Sequence, residues 1–246
     1  MTARAKRGFE TNARLMTQTW ICFDLDDTLH DFTCATTQAT NAVFTHLHQL
    51  RPDITIATLR EQYREICQKY VTAFTDGRSA FAYRFERMEQ LLHRTGVNEQ
   101  FPTTLVTIYV EHLERALKLT HDAYTALTRL RQAGHNIAVV TEGPHDAQIW
   151  TLEKLGISSL VDQLITSNQE RVSKQDGLFG VFSDRTKASP PHCLVVGDSI
   201  QNDILPTLAI GMNAVHYDPR NLGPAIPGAS RIHYLSQVEN IATALF

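Results

Sequence analysis

The apolar positions of the 246-residue chain follow two periods. Short apolar runs that end in glycine, carboxylate or hydroxyl residues predict strands buried on both faces of a sheet, at 20–25, 136–141, 163–167, 192–196 and 213–217. Between most of them the spacing is helical, with helices expected at about 121–134, 145–155 and 201–210, ended by Gly134, Gly156 and Gly211, and a last helix at about 235–245. Strands alternating with helices imply right-handed crossovers, hence an α/β fold with a doubly wound parallel sheet.

Between the first and second strands the period is helical throughout. Ala39, Val43, Leu47 and Leu50 form one stripe, ending before Arg51-Pro52. Leu59, Tyr63, Ile66, Tyr70 and Phe74 form the clearest one, read as one face of a single helix. Phe81, Phe85, Met88 and Leu92 form a third, stopping near Thr95-Gly96, and Leu105, Ile108, Leu113 and Leu117 a fourth, after Phe101-Pro102. The expected organisation is a core of 18–32 plus 119–246, a helical insert of 33–118 with its own apolar faces, and a disordered tail of 1–17. In that tail Arg4, Lys6, Arg7 and Arg14 stand against Glu10 alone.

Composition narrows the function. A formal charge of -3 supplies no field for a nucleic-acid backbone, and no apolar stretch reaches the length of a membrane span. The N-terminus lacks a signal-peptide core. Four cysteines, at 22, 34, 67 and 193, show no metal-ribbon or redox spacing and fit a reducing, cytoplasmic setting. A small soluble substrate is the expectation, with no nucleic-acid or membrane partner.

The chemistry sits at the strand ends. Asp24, Asp26 and Asp27 crowd three carboxylates into four positions after the first strand, Thr141 ends the second, Lys174 follows the third, and Asp198 and Asp203 follow the fourth. Ligands bind beyond the carboxyl edge of such sheets. Asp24, Asp26 and Asp198 offer the hard oxygens that suit magnesium, while Thr141 and Lys174 offer a hydroxyl donor and a cation for an anion. Singly, each has a plainer reading as a helix cap, a turn residue or an exposed lysine. Together they suit phosphoryl transfer, where positioning and charge neutralisation do most of the catalysis.

These segments resemble the haloacid dehalogenase superfamily at four places: Asp24-Leu25-Asp26-Asp27-Thr28, Val139-Val140-Thr141, the stretch from Ser173-Lys174 to Phe179, and Gly197-Asp198-Ser199-Ile200-Gln201-Asn202-Asp203. The resemblance covers the chain from about residue 18 to its end. It implies a magnesium-dependent phosphatase for a small phosphorylated metabolite, with Asp24 as nucleophile and Asp26 as general acid and base. Asp24, the Asp26 carbonyl and Asp198 would ligate Mg2+, Thr141 and Lys174 would hold the phosphoryl group, and Asp203 would orient Lys174 or a metal water. Asp27 is left as a turn or capping residue.

About 110 residues precede Thr141 after the first motif and only about 33 follow it before Lys174, which places the cap after the first motif and resembles the helical (C1-type) cap group. The stretch 70–85 is similar to that of bacterial nucleotide monophosphatases, so Arg78 and Arg84 are candidate substrate contacts. The competing reading makes Phe74, Phe81 and Phe85 cap core and leaves both arginines on the surface. Two positions depart from the family pattern: Gln175 replaces a common proline and Glu142 a common asparagine, while Gly177 and Gly180 weaken the helix expected after Lys174 by about 1 kcal/mol each. A nucleoside monophosphate or sugar phosphate substrate, a phosphomutase, and a non-catalytic binding or regulatory protein all remain compatible with the motifs. A dehalogenase fits less well, because Asp26 supplies a proton donor that halide displacement does not need, and Asp26, the Gly197–Asp203 motif and the large cap argue against a receiver-like signalling domain. A monomer or small homo-oligomer is expected.

Overall fold

In a computed structural model that describes residues 18–69, 74–97 and 101–246, the first strand, β1 (Trp20–Phe23), is buried along its whole length. The tail at 1–17 and Tyr70 lie outside the described residues. Alternation along β1 feeds two separate cores. Ile21 and Phe23 join Leu127 and Val238 on one face, while Trp20 and Cys22 join Phe179 and Phe182 on the other. Trp20 meets Phe182 edge-on, with centroids 5.5 Å apart.

Five further strands complete the sheet: β2 (Asn136–Thr141), β3 (Gln163–Thr166), β4 (Cys193–Gly197), β5 (Asn213–Tyr217) and β6 (Ala229–Ile232). All pair in parallel, in the order β3-β2-β1-β4-β5-β6. In this order the crossovers reverse direction between β1 and β4, and the carboxyl ends of those two strands flank the crevice where ligands bind in open sheets. Helices α5 (Ala123–Gln132), α6 (His145–Lys154), α7 (Ser167–Glu170), α8 (Leu178–Thr186), α9 (Leu205–Ala209) and α10 (Val238–Leu245) cover the two faces.

Four helices fall between β1 and β2: α1 (Phe32–Leu50), α2 (Ile56–Gln68), α3 (Ala80–Thr95) and α4 (Pro102–Ala116). Side-chain oxygens of Asp31, Thr55 and Ser79 accept backbone N–H bonds that start α1, α2 and α3. Gly96 ends α3 in the left-handed conformation at φ 65°. Val43, Leu47, Leu59, Ile66, Met88, Leu91 and Leu105 make a separate core, each such side chain contributing roughly 1.5–3 kcal/mol. No helix of the described residues is long and apolar enough to cross a membrane.

The two chain crossings between sheet and helical unit are paired. Thr120 N donates to Leu29 O at 2.9 Å and Asp31 N to Lys118 O at 3.2 Å, so the connectors run side by side as a short antiparallel bridge. Across the seam, both Asp146 oxygens accept the Ala80 N–H at the start of α3, at 2.9 and 3.1 Å. Asn168 Nδ2 donates to Arg78 O, and Ser167 Oγ to Phe74 O.

Several elements differ from the sequence expectation. The stripe from Leu59 to Phe74 is not one helix: α2 ends at Gln68, and Phe74 packs edge-on against Tyr83 from beyond it. Phe81 is 53% exposed, because α3 turns Tyr83, Met88, Leu91 and Leu92 inward, with the Tyr83 hydroxyl donating to Asp76 so that its polar tip can be buried. Leu50 is exposed as well. The helix after Lys174 forms despite its glycines, since burial of Leu178, Phe179 and Phe182 outweighs their cost. The helix expected at 201–210 begins as a π-helical turn, Ile200–Ile204. β6 was not foreseen: only Ile232 of its four residues is fully buried, which leaves no alternating pattern.

Candidate active site

Beyond the carboxyl ends of β1 and β4 lies a cavity of about 430 Å³, floored by the sheet edge and roofed by α3 and α4. Asp24, Asp26, Thr141, Lys174, Asp198 and Asp203 all line it, together with Arg84. The chain brings them there by short steps. Asp24 N donates to Val196 O, which continues the β1–β4 ladder one residue past the strand and delivers Asp24 beside Asp198.

Lys174 is 3% exposed and ties the floor together: its Nζ donates to Asp24 and, at 2.6 Å, to Asp203 Oδ1. Asp203 also accepts from Ser199 N at 3.0 Å, so the turn after β4 is held to the lysine. Burial alone would discharge Lys174, but the carboxylates of Asp203 and Asp24 overcome it and hold the ammonium above the ordinary lysine range. Burial pushes the Asp24 carboxyl well up, with Lys174 pulling against it and Asp203 and Asp26 adding repulsion. Asp198 is pushed up to about 6, by burial first and then by the charges of Asp203 and Asp27. One buried cation therefore faces more carboxylate charge than it neutralises.

Oxygens of Asp24, Asp198 and Asp203 lie within 4.8 Å of one another. An all-oxygen, over-charged cluster of this kind fits a hard divalent cation. Two of Asp203's contacts are already spent on Lys174 and Ser199, which leaves Asp24 and Asp198 as the side chains better placed to ligate.

Asp26 stands apart from this knot. Its Oδ1 meets His30 Nε2 at 2.9 Å, Gln148 Nε2 reaches its Oδ2 at 3.4 Å, and its side chain keeps 26% exposure. His30 is 1% exposed, lines the cavity and has no partner for Nδ1. Sequence reading passed over both partners. The four-residue spacing from Asp26 to His30 was the available signal for the histidine; Gln148 had none. Asp27, at φ 58°, lines the cavity rim, but its carboxylate is occupied, accepting both the N–H and the hydroxyl of Thr33 at the start of α1, at 2.8 and 2.6 Å.

The two departures from the family pattern acquire physical roles. Glu142 Oε1 accepts the Lys174 backbone N–H at 3.1 Å, so its charge braces the lysine loop. Gln175 Nε2 donates to Asn202 Oδ1 at 2.8 Å, linking the lysine loop to the turn after β4. Of the two arginines singled out, only Arg84 lines the cavity. Arg78 pairs at 2.7 Å with both Asp76 and Glu86, so its charge is already satisfied inside the helical unit.

A single missing methyl group holds the β4 end in place. A Cβ added at Gly197 would lie 2.3 Å from the Asp203 carboxylate, which cannot yield while it is tied to Lys174 and Ser199. Gly197→Ala is expected to cost about 1–3 kcal/mol of stability and a further loss of catalytic efficiency through Lys174. Urea unfolding and steady-state kinetics check this, and a variant equal to the parent in both would contradict the close approach.

A parallel sheet with a carboxylate-rich crevice at its switch point and a helical roof defines a Rossmann-like α/β protein with a helical insert over the carboxyl edge of the sheet. The chain belongs to the haloacid dehalogenase-like hydrolases, whose family model matches residues 19–211. It is 26% identical over 216 residues to a ribulose-1,5-bisphosphate 5-phosphatase of Halopiger xanaduensis, covering 87% of this chain and 90% of that one. It is also 26% identical over 201 residues to a glyceraldehyde 3-phosphate phosphatase of Pyrococcus abyssi, with 80% of each covered. The magnesium-bound putative hydrolase YfnB of Bacillus subtilis superposes with a TM-score of 0.68 at 25% identity, over 92% of this chain and 98% of that one. Other similar structures include a HAD phosphatase of Thermococcus onnurineus at 21% identity and 2-haloacid dehalogenases at 20% or less, a likeness of fold alone. The phosphatase-named relatives place this enzyme among the phosphatases of the family.

Proposed function

We propose that the protein is a magnesium-dependent phosphatase that hydrolyses a small phosphomonoester through an aspartyl-phosphate on Asp24. The observation that carries this reading is the opposite surroundings of two carboxylates only two positions apart. Asp24 is 6% exposed and pinned by Lys174, as a nucleophile must be; Asp26 keeps contact with solvent and is aimed by His30, as a proton carrier must be.

In the first step an Asp24 oxygen forms a bond to phosphorus while the ester P–O bond breaks, and Asp26 gives its proton to the departing oxygen. In the second step Asp26 takes a proton from water as that water displaces Asp24, releasing phosphate. Lys174 neutralises charge on Asp24 and the phosphoryl oxygens, and the Thr141 hydroxyl, on a side chain 1% exposed, holds one of those oxygens. A bound Mg2+, held by Asp24, Asp198 and the Asp26 carbonyl, would supply the remaining positive charge and keep Asp24 ionised. Asp203 acts through Lys174.

The phosphatases similar to this chain take, by name, phosphorylated sugars, which favours a sugar phosphate over a nucleoside monophosphate. The reading places the enzyme in the cytoplasm as a monomer or small homo-oligomer, acting on a soluble metabolite. A dehalogenase needs no proton donor for its leaving halide, so the held Asp26 speaks against that chemistry. The deciding experiment offers the purified protein 4-nitrophenyl phosphate with magnesium and, separately, 2-chloropropionate. Phosphate release that disappears with EDTA is expected; chloride release without phosphate release would overturn the reading.

The raised carboxyl groups also set a pH dependence. Asp198, raised to about 6 from its ordinary range, makes the folded protein bind more protons than the unfolded chain between about pH 4 and pH 6, and Asp24 is raised in the same direction, so without cation stability is lost as pH rises through that window. The difference in Tm between magnesium and EDTA samples should therefore grow from pH 5 to pH 7. At saturation near one hundred times Kd it should reach about 5–10 °C. Thermal unfolding at both pH values measures it, and a difference that stays flat or shrinks would argue against cation binding at these carboxylates.

A further inference from the structure

The roof of the cavity carries two arginines that the mechanism above does not use. Arg84 and Arg87 lie three residues apart on α3, hence on one face, and both line the cavity. Among the described residues neither has a carboxylate within ion-pair distance, although Arg78, Arg94 and Arg131 in the same molecule each do. Arg84 lies over the Tyr109 ring, its guanidinium carbon 5.5 Å from the centroid. Arg87 Nε donates to Tyr83 O at 3.2 Å and its Nη1 to Cys67 Sγ at 3.8 Å, contacts that fix the side chain without a carboxylate to neutralise it. Asp146, whose charge acts on Arg84 from across the seam, spends both oxygens on the Ala80 N–H.

Burial pulls the Arg84 guanidinium below the ordinary arginine range. Keeping a half-buried charge partly out of water with no counter-ion is costly, and the cost is recovered when an anion enters. The acidic floor does not serve as that anion: among the described residues none of its carboxylates comes within ion-pair distance of either guanidinium, and Asp24 and Asp203 are bound to Lys174. Nor does the transferred phosphoryl group, which the floor itself would hold.

We propose that Arg84 and Arg87 form a second anion site, so that the substrate is a phosphomonoester bearing another anionic group, carboxylate or phosphate, at the end remote from the scissile ester. This rests on the phosphatase reading and narrows its substrate class. An arginine fork stacked on an aromatic ring suits either planar carboxylate or phosphate, and binding there would bring the roof down on a substrate already seated on the floor.

The test uses matched alkyl phosphates of three to six carbons whose far end is hydroxyl, carboxylate or a second phosphate, with 4-nitrophenyl phosphate as reference and magnesium throughout. For the best chain length, kcat/KM should favour an anionic end over hydroxyl by about 10- to 100-fold. Arg84→Gln should reduce that ratio to near one, Arg84→Lys should retain part of it, and Arg87→Gln should lower it independently. The ratio, unlike the absolute rate, is not moved by a general loss of folding. Preference for the carboxylate series or the bisphosphate series identifies which anion is taken. A ratio near one in the parent at every length, or an unchanged ratio in Arg84→Gln, overturns the second site. Hydrolysis of 4-nitrophenyl phosphate together with that result leaves the phosphatase reading intact; no hydrolysis of any ester removes both.

Discussion

Asp24→Asn is expected to reduce magnesium-supported phosphomonoester hydrolysis by about 10⁴-fold or more while the protein still folds. An amide is nearly the same shape as a carboxylate, but it cannot attack phosphorus at a useful rate or carry the negative charge that balances Lys174. The fold should survive because Lys174 keeps its bond to Asp203, and because removing one buried charge relieves repulsion among Asp24, Asp26 and Asp203. The Tm without cation should therefore stay within a few degrees of the parent, whereas the rise produced by magnesium should shrink. Activity, circular dichroism and Tm with and without magnesium make the measurement. Substantial residual turnover in a folded sample would exclude Asp24 as the nucleophile.

Lys174→Met should damage both stability and rate. The side chain is 3% exposed and is the partner of two carboxylates that are themselves 6% and 1% exposed, so its loss leaves two buried anions unmatched. Removing one member of a buried ionic group in this way costs about 3–5 kcal/mol. The deficit should be largest near neutral pH and shrink in mild acid, where Asp24, whose carboxyl burial already pushes up, takes up a proton and no longer needs a cation. Turnover should fall by about 10³-fold even in conditions where the variant is folded, since charge on the phosphoryl oxygens loses a fixed counter-charge. Urea unfolding at pH 5 and pH 7.5, with kinetics on the folded fraction, tests the pair of effects. A stability deficit independent of pH would mean that packing, not charge, is what Lys174 supplies.

The catalytic face was legible because its chemistry is local. Asp24 and Asp26 follow a strand directly, Asp198 follows another, and a parallel sheet brings all strand ends to one edge whatever the details of packing. Five of six strands and most helices could be read for a related reason: burial on both faces of a sheet, or along one stripe of a helix, leaves a periodic trace. β6 left none, because an edge strand with a single buried residue imposes no pattern. The α3 stripe misleads because Phe81 has the right spacing, and only the Asp76 carboxylate, accepting from the Tyr83 hydroxyl, makes Tyr83 the better residue to bury.

His30 and Gln148 at Asp26, and Glu142 and Gln175 around Lys174, illustrate a different limit. Each acts through one hydrogen bond to a residue that the fold delivers, and one bond requires no repeating sequence signal. The same limit separated Arg78 from Arg84. Both lie among aromatic residues in one stretch of sequence, yet Asp76 and Glu86 neutralise the first while the second lines the cavity without a carboxylate partner among the described residues. The sequence by itself therefore determined the parallel sheet, the helical insert and the identity of the acidic groups at the strand ends, because periodic burial and strand direction are written residue by residue. Only the tertiary structure decided which charges are paired, which are left over, and so where a second anion could bind, because charge balance depends on distances between groups that are far apart in the chain.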